Sequence, residues 1–474
     1  MLVRSKTIKT KTALLFGASL TVLVASAAAA LAQQVAQSDT ESVIVTGTRV
    51  TGMTAADSAA PITVIGSDAL SRVGQPNLIQ ALAQIAPSFT AEALGGDTGA
   101  LTLSARLRGI SPNDTLVLIN GKRRHSTGNL HVLGGQYQGA ATSDLDMIPV
   151  AAIDHVEVLQ EGAAAQYGTD AIAGVVNIIL KHNSSGGTAS ATAGQYFQQG
   201  GDTYDFNGNF GVDLGGKGFL SITGEKRYRG FSQRGGQDIR MINAAGVTRA
   251  TPYNQTLVTG YPFANPIVGD PESMLTTVAA NMEYELDPNV TLYATATYGE
   301  RQAKAFENNR VPNRVIASAG SNQPFNAVTN PNGYVGLTAA GTPNISGGSG
   351  NYGDPGELIF SPSGFRPQEA LKEDDYGYTV GIKGEVAGYH WDLSGTYGKD
   401  RDKIYTLQSA NAALFLDTHT TPSDFYDGQF TATEATFNLD VTKNYNVGLA
   451  SPLTAAVGFE ARENTFGITQ GDAA

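Results

Sequence analysis

The chain has 474 residues, 31 Lys and Arg against 43 Asp and Glu, a formal charge of −12, and no cysteine. That length allows two or more domains, the acidic balance argues against nucleic acid as a partner, and the missing thiols exclude disulfides and thiolate metal sites. Gly at 56, Tyr at 19, Phe at 18 and only 16% charged residues fit a β-protein with many tight turns, as an outer-membrane barrel or a secreted β-solenoid would be.

Residues 1–32 read as a secretory signal peptide. Arg4, Lys6, Lys9 and Lys11 form a basic start, Ala13 to Ala32 are apolar and small, and Ala30-Leu31-Ala32 fits a cleavage site. The competing reading is a retained transmembrane helix, since the run is about long enough to span. The small-residue ending favours cleavage. No later segment approaches a spanning helix, so a barrel is the one membrane-crossing option left.

Residues 33–60 are polar and small, with one β-prone run at Glu41, Ser42, Val43, Ile44, Val45, Thr46 and Gly47. Such a run cannot fold alone, but it can add itself to another protein's exposed sheet edge. The plainer alternative is the first strand of the next domain. Residues 61–182 then read as a compact α+β domain. Strands are expected at Pro61 to Ile65, Leu101 to Ile110, Thr115 to Ile119, Ile153 to Leu159 and Ala173 to Leu180. One helix opens at Ser67, and Leu78, Leu82 and Ile85 set a second that Pro87 stops. Asn120-Gly121 is a turn between β segments.

From residue 183 to 474 the helical signals give way to strict alternation. Tyr204, Phe206, Phe210 and Val212 oppose Asp205, Asn207, Asn209 and Gly211, and Tyr389, Trp391, Leu393 and Tyr397 oppose His390, Asp392, Ser394 and Thr396. Similar runs recur near residues 278–286, 376–383, 436–441 and 453–462. One apolar and one polar face, repeated at about ten-residue length with aromatics near the ends, is the signature of a membrane barrel strand. Short turns at Gly215-Gly216, Asp287-Pro288-Asn289 and Ala387-Gly388 alternate with long connections, read from Gly230 to about Met274, Arg301 to about Asp374, and Arg401 to about Thr431. That asymmetry is expected of periplasmic turns and external loops.

Two long, ordered motifs make the chain recognisable. Leu107-Arg108-Gly109 followed by Asp114 through Arg123, with Asn120-Gly121, resembles the central plug motif of TonB-dependent outer-membrane receptors. Asp144 through Lys181, with Glu157, Gly162, Tyr167-Gly168, Gly174 and Asn177, is similar to that family's closing plug motif. The run from Glu41 to Gly47 looks like a TonB box and lies where one belongs, and Val457 to Glu463 is similar to a mid-barrel strand. The resemblance implies a transmembrane β-barrel around a small α+β plug domain in its lumen. About nine strands are present here, where the family has about 22. Only 292 residues follow position 182, so the chain is expected to be an N-terminal portion or a truncated product.

The resemblance also implies a function. A Gram-negative outer-membrane receptor would take up a scarce bulky ligand, a ferric siderophore or another iron complex, with energy passed on by TonB and its inner-membrane partner proteins. Vitamin B12 or an oligosaccharide is the alternative cargo, and a transport-incompetent fragment the alternative status. The expected contacts are TonB at residues 41–47, the lipid bilayer, and a ligand at the plug apex through Asp97, Arg123, Arg124, His125 and Tyr137. For Arg123 and Arg124, ion pairs with the barrel wall are an equally weighted reading, and Arg108 is expected to fix plug to barrel. The plug itself would rest on Arg108, Gly109, Asn120, Gly121, Glu157, Gly162, Tyr167, Gly168, Gly174 and Asn177. The chain is expected to act as a monomer, with no cofactor, no resident metal and no catalytic constellation.

Overall fold

The computed structural model describes residues 46, 58, 61–90, 98–102, 106–132, 138–160, 164–197, 200–232, 269–307, 336–337, 343–344, 366–411, 414, 421–449 and 452–472. The first domain is a mixed five-stranded sheet with two flanking helices. Its elements are β1 (Ile62–Gly66), α1 (Ser67–Val73), α2 (Leu78–Ile85), β2 (Phe89–Thr90), β3 (Arg106–Leu107), β4 (Thr115–Ile119), β5 (Lys122–Arg123), β6 (Ile153–Leu159), α3 (Ala164–Tyr167) and β7 (Gly174–Leu180). The sheet order is β1-β6-β7-β4-β5, and β4 runs parallel to β7. Local chemistry explains the boundaries. Gly74 closes α1 in the left-handed region at φ 69°, which glycine adopts without steric cost. The Asn77 side chain caps α2 by accepting from the Gln80 amide at 3.0 Å. Leu78, Ile79 and Leu82 of α2 join Val156, Val158, Val176 and Ile178 in one dry core.

The second part is an antiparallel sheet of nine strands in the described residues, each beside its neighbour in sequence. They are β8 (Gly187–Gly194), β9 (Thr203–Asp213), β10 (Gly218–Arg229), β11 (Glu272–Asp287), β12 (Val290–Phe306), then, after a small separate pair β13 (Gly336–Leu337) and β14 (Pro343–Asn344), β15 (Gln368–Val386), β16 (Tyr389–Leu407), β17 (Phe425–Tyr445) and β18 (Leu453–Gln470). The burial pattern is inverted relative to a soluble sheet. In β9, Phe206 and Phe210 are 61% and 60% exposed while Asp205 and Asn209 are 2% and 5% exposed. In water this arrangement would waste the hydrophobic driving force. It is stable when the outer face meets lipid and the inner face meets polar protein. Among the described residues no helix is long and apolar enough to cross a membrane.

Three expectations are corrected. Leu101 to Ile110 is not one strand: Thr98–Leu101 is a 3₁₀ turn, β3 is two residues long, and Arg108 and Gly109 both take positive φ (57° and 68°), which turns the chain sharply. The barrel strands also reach farther than the apolar pattern shows. β12 continues to Phe306, β15 starts at Gln368 and β16 runs to Leu407. The hydrogen-bonded ladder persists where alternation fades, because the upper ends carry inward charges rather than an apolar outer row. Finally, Arg108 ties the plug to itself, donating from Nη2 to the Ile172 carbonyl at 3.0 Å, rather than to the wall.

Candidate functional site

The plug is seated against the inner wall by a dense polar seam. At the Asn120-Gly121 turn, with φ of 49° and 78°, Asn120 Nδ2 donates to Asn281 Oδ1 and Thr295 Oγ1 at 3.1 and 3.2 Å, while its Oδ1 accepts the Leu180 amide at 2.9 Å. Asn177 Oδ1 accepts the Gly121 amide at 3.0 Å. One turn thus locks β4 to β7 and both to the wall. Gly174, at φ 136°, lies so close to the Leu159 carbonyl that a Cβ would collide with it, which accounts for glycine there.

The residues after that turn carry charge to the wall. Lys122 Nζ meets Asp392 at 3.0 Å, and Arg123 meets Asp170 at 2.8 Å, Glu460 at 3.1 Å and the Tyr167 carbonyl. Arg124 pairs with Asp375 and donates to Thr297 Oγ1 at 2.9 Å, and both charged side chains of that pair are 2% exposed. His125 Nε2 lies 2.8 Å from the same carboxylate. Burial and then the adjacent Arg124 hold the His125 pKa below its usual value, outweighing the pull of Asp375. The bond is therefore a neutral imidazole donating Nε2–H to a carboxylate, not a second full ion pair. Farther along the seam, Arg301 reaches Asp144 at 2.6 Å and also Glu373, and Arg227 reaches Asp146 and the Pro76 carbonyl.

On the plug's other side, Glu157 is fully buried. It accepts the Thr46 amide at 2.9 Å and the Thr46 hydroxyl, and Asn177 Nδ2 donates to Thr46 Oγ1 at 3.0 Å. The segment containing Thr46 is thus hooked onto the plug by backbone and side chain at once. His155, two residues from Glu157 along β6, bonds Asp154 at 2.7 Å and Glu157 at 3.4 Å, and these two carboxylates push its pKa up to about 9.

Of the residues expected at the apex, Arg123, Arg124 and His125 come together on β5 and its continuation, and all three engage carboxylates. Asp97 and Tyr137 lie outside the described residues, as do Gly162 and residues 41–45 and 47. Gly168 takes φ 85° beside the Arg123 guanidinium. Between this face of the plug and β17–β18 is a cavity of about 600 Å³ bordered by Lys122, Arg123, Asp170, Asp440, Glu460 and Arg462. Sequence reasoning missed Arg301, Glu373, Asp375, Asp400 and Asp402. A signal existed: with Tyr376, Tyr378, Trp391 and Leu393 placed on the outer face, strand parity puts all four acids inside.

Residues 54–175 match the family model "TonB-dependent Receptor Plug Domain". Over 147 residues the chain is 29% identical to a probable TonB-dependent siderophore receptor, PirA, of Acinetobacter baumannii, covering 30% of this chain and 19% of that one. Over 179 residues it is 30% identical to the vitamin B12 transporter BtuB of Photobacterium profundum, covering 37% and 26% respectively. A solved mutant of the ferric enterobactin receptor PfeA from Pseudomonas aeruginosa superposes with TM-score 0.52 at 17% identity, over 86% of this chain and 49% of that one. The chain therefore spans about half the length of that solved receptor and matches a smaller share of the curated relatives.

Proposed function

Starting from the membership of this outer-membrane chain in the TonB-dependent receptors, by its plug domain and its barrel fold, we propose that it serves energised uptake of a ferric siderophore, with residues 41–47 as the segment that TonB grips. The observation that carries this reading is the Thr46 hook. A segment held on the plug by Glu157 and Asn177, in a chain whose plug is bonded to the wall from β10 to β18, is a handle on a domain otherwise fastened to the wall. A strand-to-strand grip on that handle loads its hydrogen bonds together. Pulling it strains Glu157 and Asn177 first, and Asn177 connects directly to the Gly121 turn that rests on the wall. The domain assignment that goes with this is a signal peptide at 1–32, a periplasmic segment at 33–60, the plug at 61–182 and the barrel portion beyond. The protein acts as a monomer in the outer membrane.

Ferric siderophore is preferred as cargo because a curated relative named above is a probable siderophore receptor. The similarity to a vitamin B12 transporter supports cobalamin as the second reading. The test is uptake of radiolabelled iron, supplied as a panel of ferric siderophores, by cells expressing the gene with and without TonB, with labelled cyanocobalamin run in parallel. TonB-dependent iron uptake supports the proposal. Cobalamin uptake alone transfers it to the second reading, and uptake that ignores TonB rejects the mechanism.

A further inference from the structure

Three carboxylates in the barrel wall hold more negative charge than the fold around them balances. Glu373 of β15 and Asp400 and Asp402 of β16 are 1%, 0% and 0% exposed. Each brings an oxygen within 4.8 Å of the others. The strand register places Glu373 directly opposite Asp402, and Asp400 lies two residues before Asp402 on the same face.

The hydrogen bonds leave a defined set of oxygens unclaimed. Asp400 Oδ2 accepts from Thr127 Oγ1 at 2.7 Å and from the Gly128 amide at 2.8 Å, both in the plug. Glu373 Oε2 accepts from Arg301. Glu373 Oε1, Asp400 Oδ1 and both oxygens of Asp402 are buried without a hydrogen-bond partner. Arg301 is the cation bonded to this group, and it is shared with Asp144. One guanidinium does not neutralise four buried carboxylates, and a dry carboxylate without a counter-charge is expensive. Neither oxygen of Asp402 receives a hydrogen bond from a protein donor outside the cluster, and the side chain is aimed at Glu373 and Asp400.

We propose that Glu373, Asp400 and Asp402 bind a hard divalent cation of the calcium type, and that the bound ion fastens the plug to the wall. The donor set is all oxygen, with no nitrogen or sulfur, which selects calcium or magnesium over transition metals. Three carboxylates on two adjacent strands, able to bind through one or both oxygens, suit the looser coordination of calcium. Gly128 closes the plug side: a Cβ there would stand 2.6 Å from Asp402 Oδ2, so a larger residue would push that carboxylate out of its place. Asp400 has two roles, because an ion on Oδ1 fixes the carboxylate whose Oδ2 holds Thr127 and Gly128.

The test is calorimetric titration of CaCl₂ into the full chain, purified in detergent and stripped with EDTA, alongside thermal unfolding with and without the ion. The expected result is saturable calcium binding with a rise in Tm. Asp402→Asn and Glu373→Gln should each weaken binding at least about tenfold. In EDTA Asp402→Asn should be at least as stable as the wild type, because it removes a repelling charge that no cation is bonded to, whereas Glu373→Gln also takes a carboxylate from Arg301 and is read by its calcium affinity alone. Two results overturn the proposal. One is a wild type that shows neither binding heat nor a Tm shift at millimolar calcium, in which case shared protons keep the cluster neutral. The other is calcium binding that persists unchanged in both variants, which places the ion elsewhere.

Discussion

Replacing Asp375 with Ala should loosen the plug without disturbing the sheet. Asp375 projects into the lumen, where it meets Arg124 and His125. Its removal leaves the Arg124 guanidinium, 2% exposed in that pair, with the neutral hydroxyl of Thr297 at 2.9 Å. Breaking one side of a buried ion pair costs about 3–5 kcal/mol, because the surviving charge stays desolvated. The lost His125 hydrogen bond adds about 1 kcal/mol. Both contacts join plug to wall, so the cost falls on plug seating. Together these are about 4–6 kcal/mol, and at about 1.4 kcal/mol per tenfold the population of unseated plug should rise by roughly seven hundredfold to twenty thousandfold. Hydrogen exchange of the Thr115–Ile119 amides in β4 reports it, with far-UV circular dichroism as the control for the sheet. The double replacement Arg124→Met with Asp375→Leu should recover most of the protection, since no charge is left buried. Unchanged exchange in Asp375→Ala would refute this reasoning, and so would a double variant as labile as the single one.

Stability of the plug should also depend on pH through His155. Its pKa is raised from 6.5 to about 9 by Asp154 and Glu157, so its stabilising contribution is complete below pH 6.5 and lost as pH rises through 9. Solvent screening at the half-exposed Asp154 partner keeps the effect below the full value of that shift, and His155→Gln should flatten that slope in urea titrations across the window. His125 acts in the opposite sense: its pKa lies below 6.5, so plug seating should weaken as pH falls below that value, and His125→Asn should remove the dependence. Gly174→Ala should cost about 3 kcal/mol or more, seen as a lowered Tm, because the added Cβ meets the Leu159 carbonyl at a φ that alanine avoids. Glu157→Ala should free the segment around Thr46, read as faster proteolytic cleavage N-terminal to residue 58 while the barrel stays resistant.

The barrel was legible because lipid imposes a simple rule on a strand. Phe206, Phe210, Tyr378, Leu393 and Phe437 all face outward as their alternation predicts, and the turns at Gly215-Gly216 and Ala387-Gly388 carry the positive φ that their glycines suggest. The upper ends of β12, β15 and β16 were not legible from apolar periodicity, since their information is carried by inward charges such as Arg301, Glu373 and Asp402. Plug strands were readable where apolar runs are continuous, as in β4 and β7. The stretch from Leu101 to Ile110 was misread because its path is set by Arg108 in a left-handed turn, a tertiary decision that no propensity reports. Arg124 and His125 were visible as candidates, but their partner, Asp375, lies 251 and 250 residues away. Pairings at that separation depend on how the barrel curls around the plug, which local sequence does not encode.

The central claim is that the segment at residues 41–47 couples this plug to TonB. It is tested most directly by measuring binding of the periplasmic domain of TonB to the detergent-solubilised chain, with a Val45→Pro variant as comparison, since proline cannot donate to a strand pairing. The account predicts saturable binding to the wild type that Val45→Pro abolishes and that Glu157→Ala strengthens by releasing the hook. Equal binding to wild type and Val45→Pro, or none to any form, would contradict it.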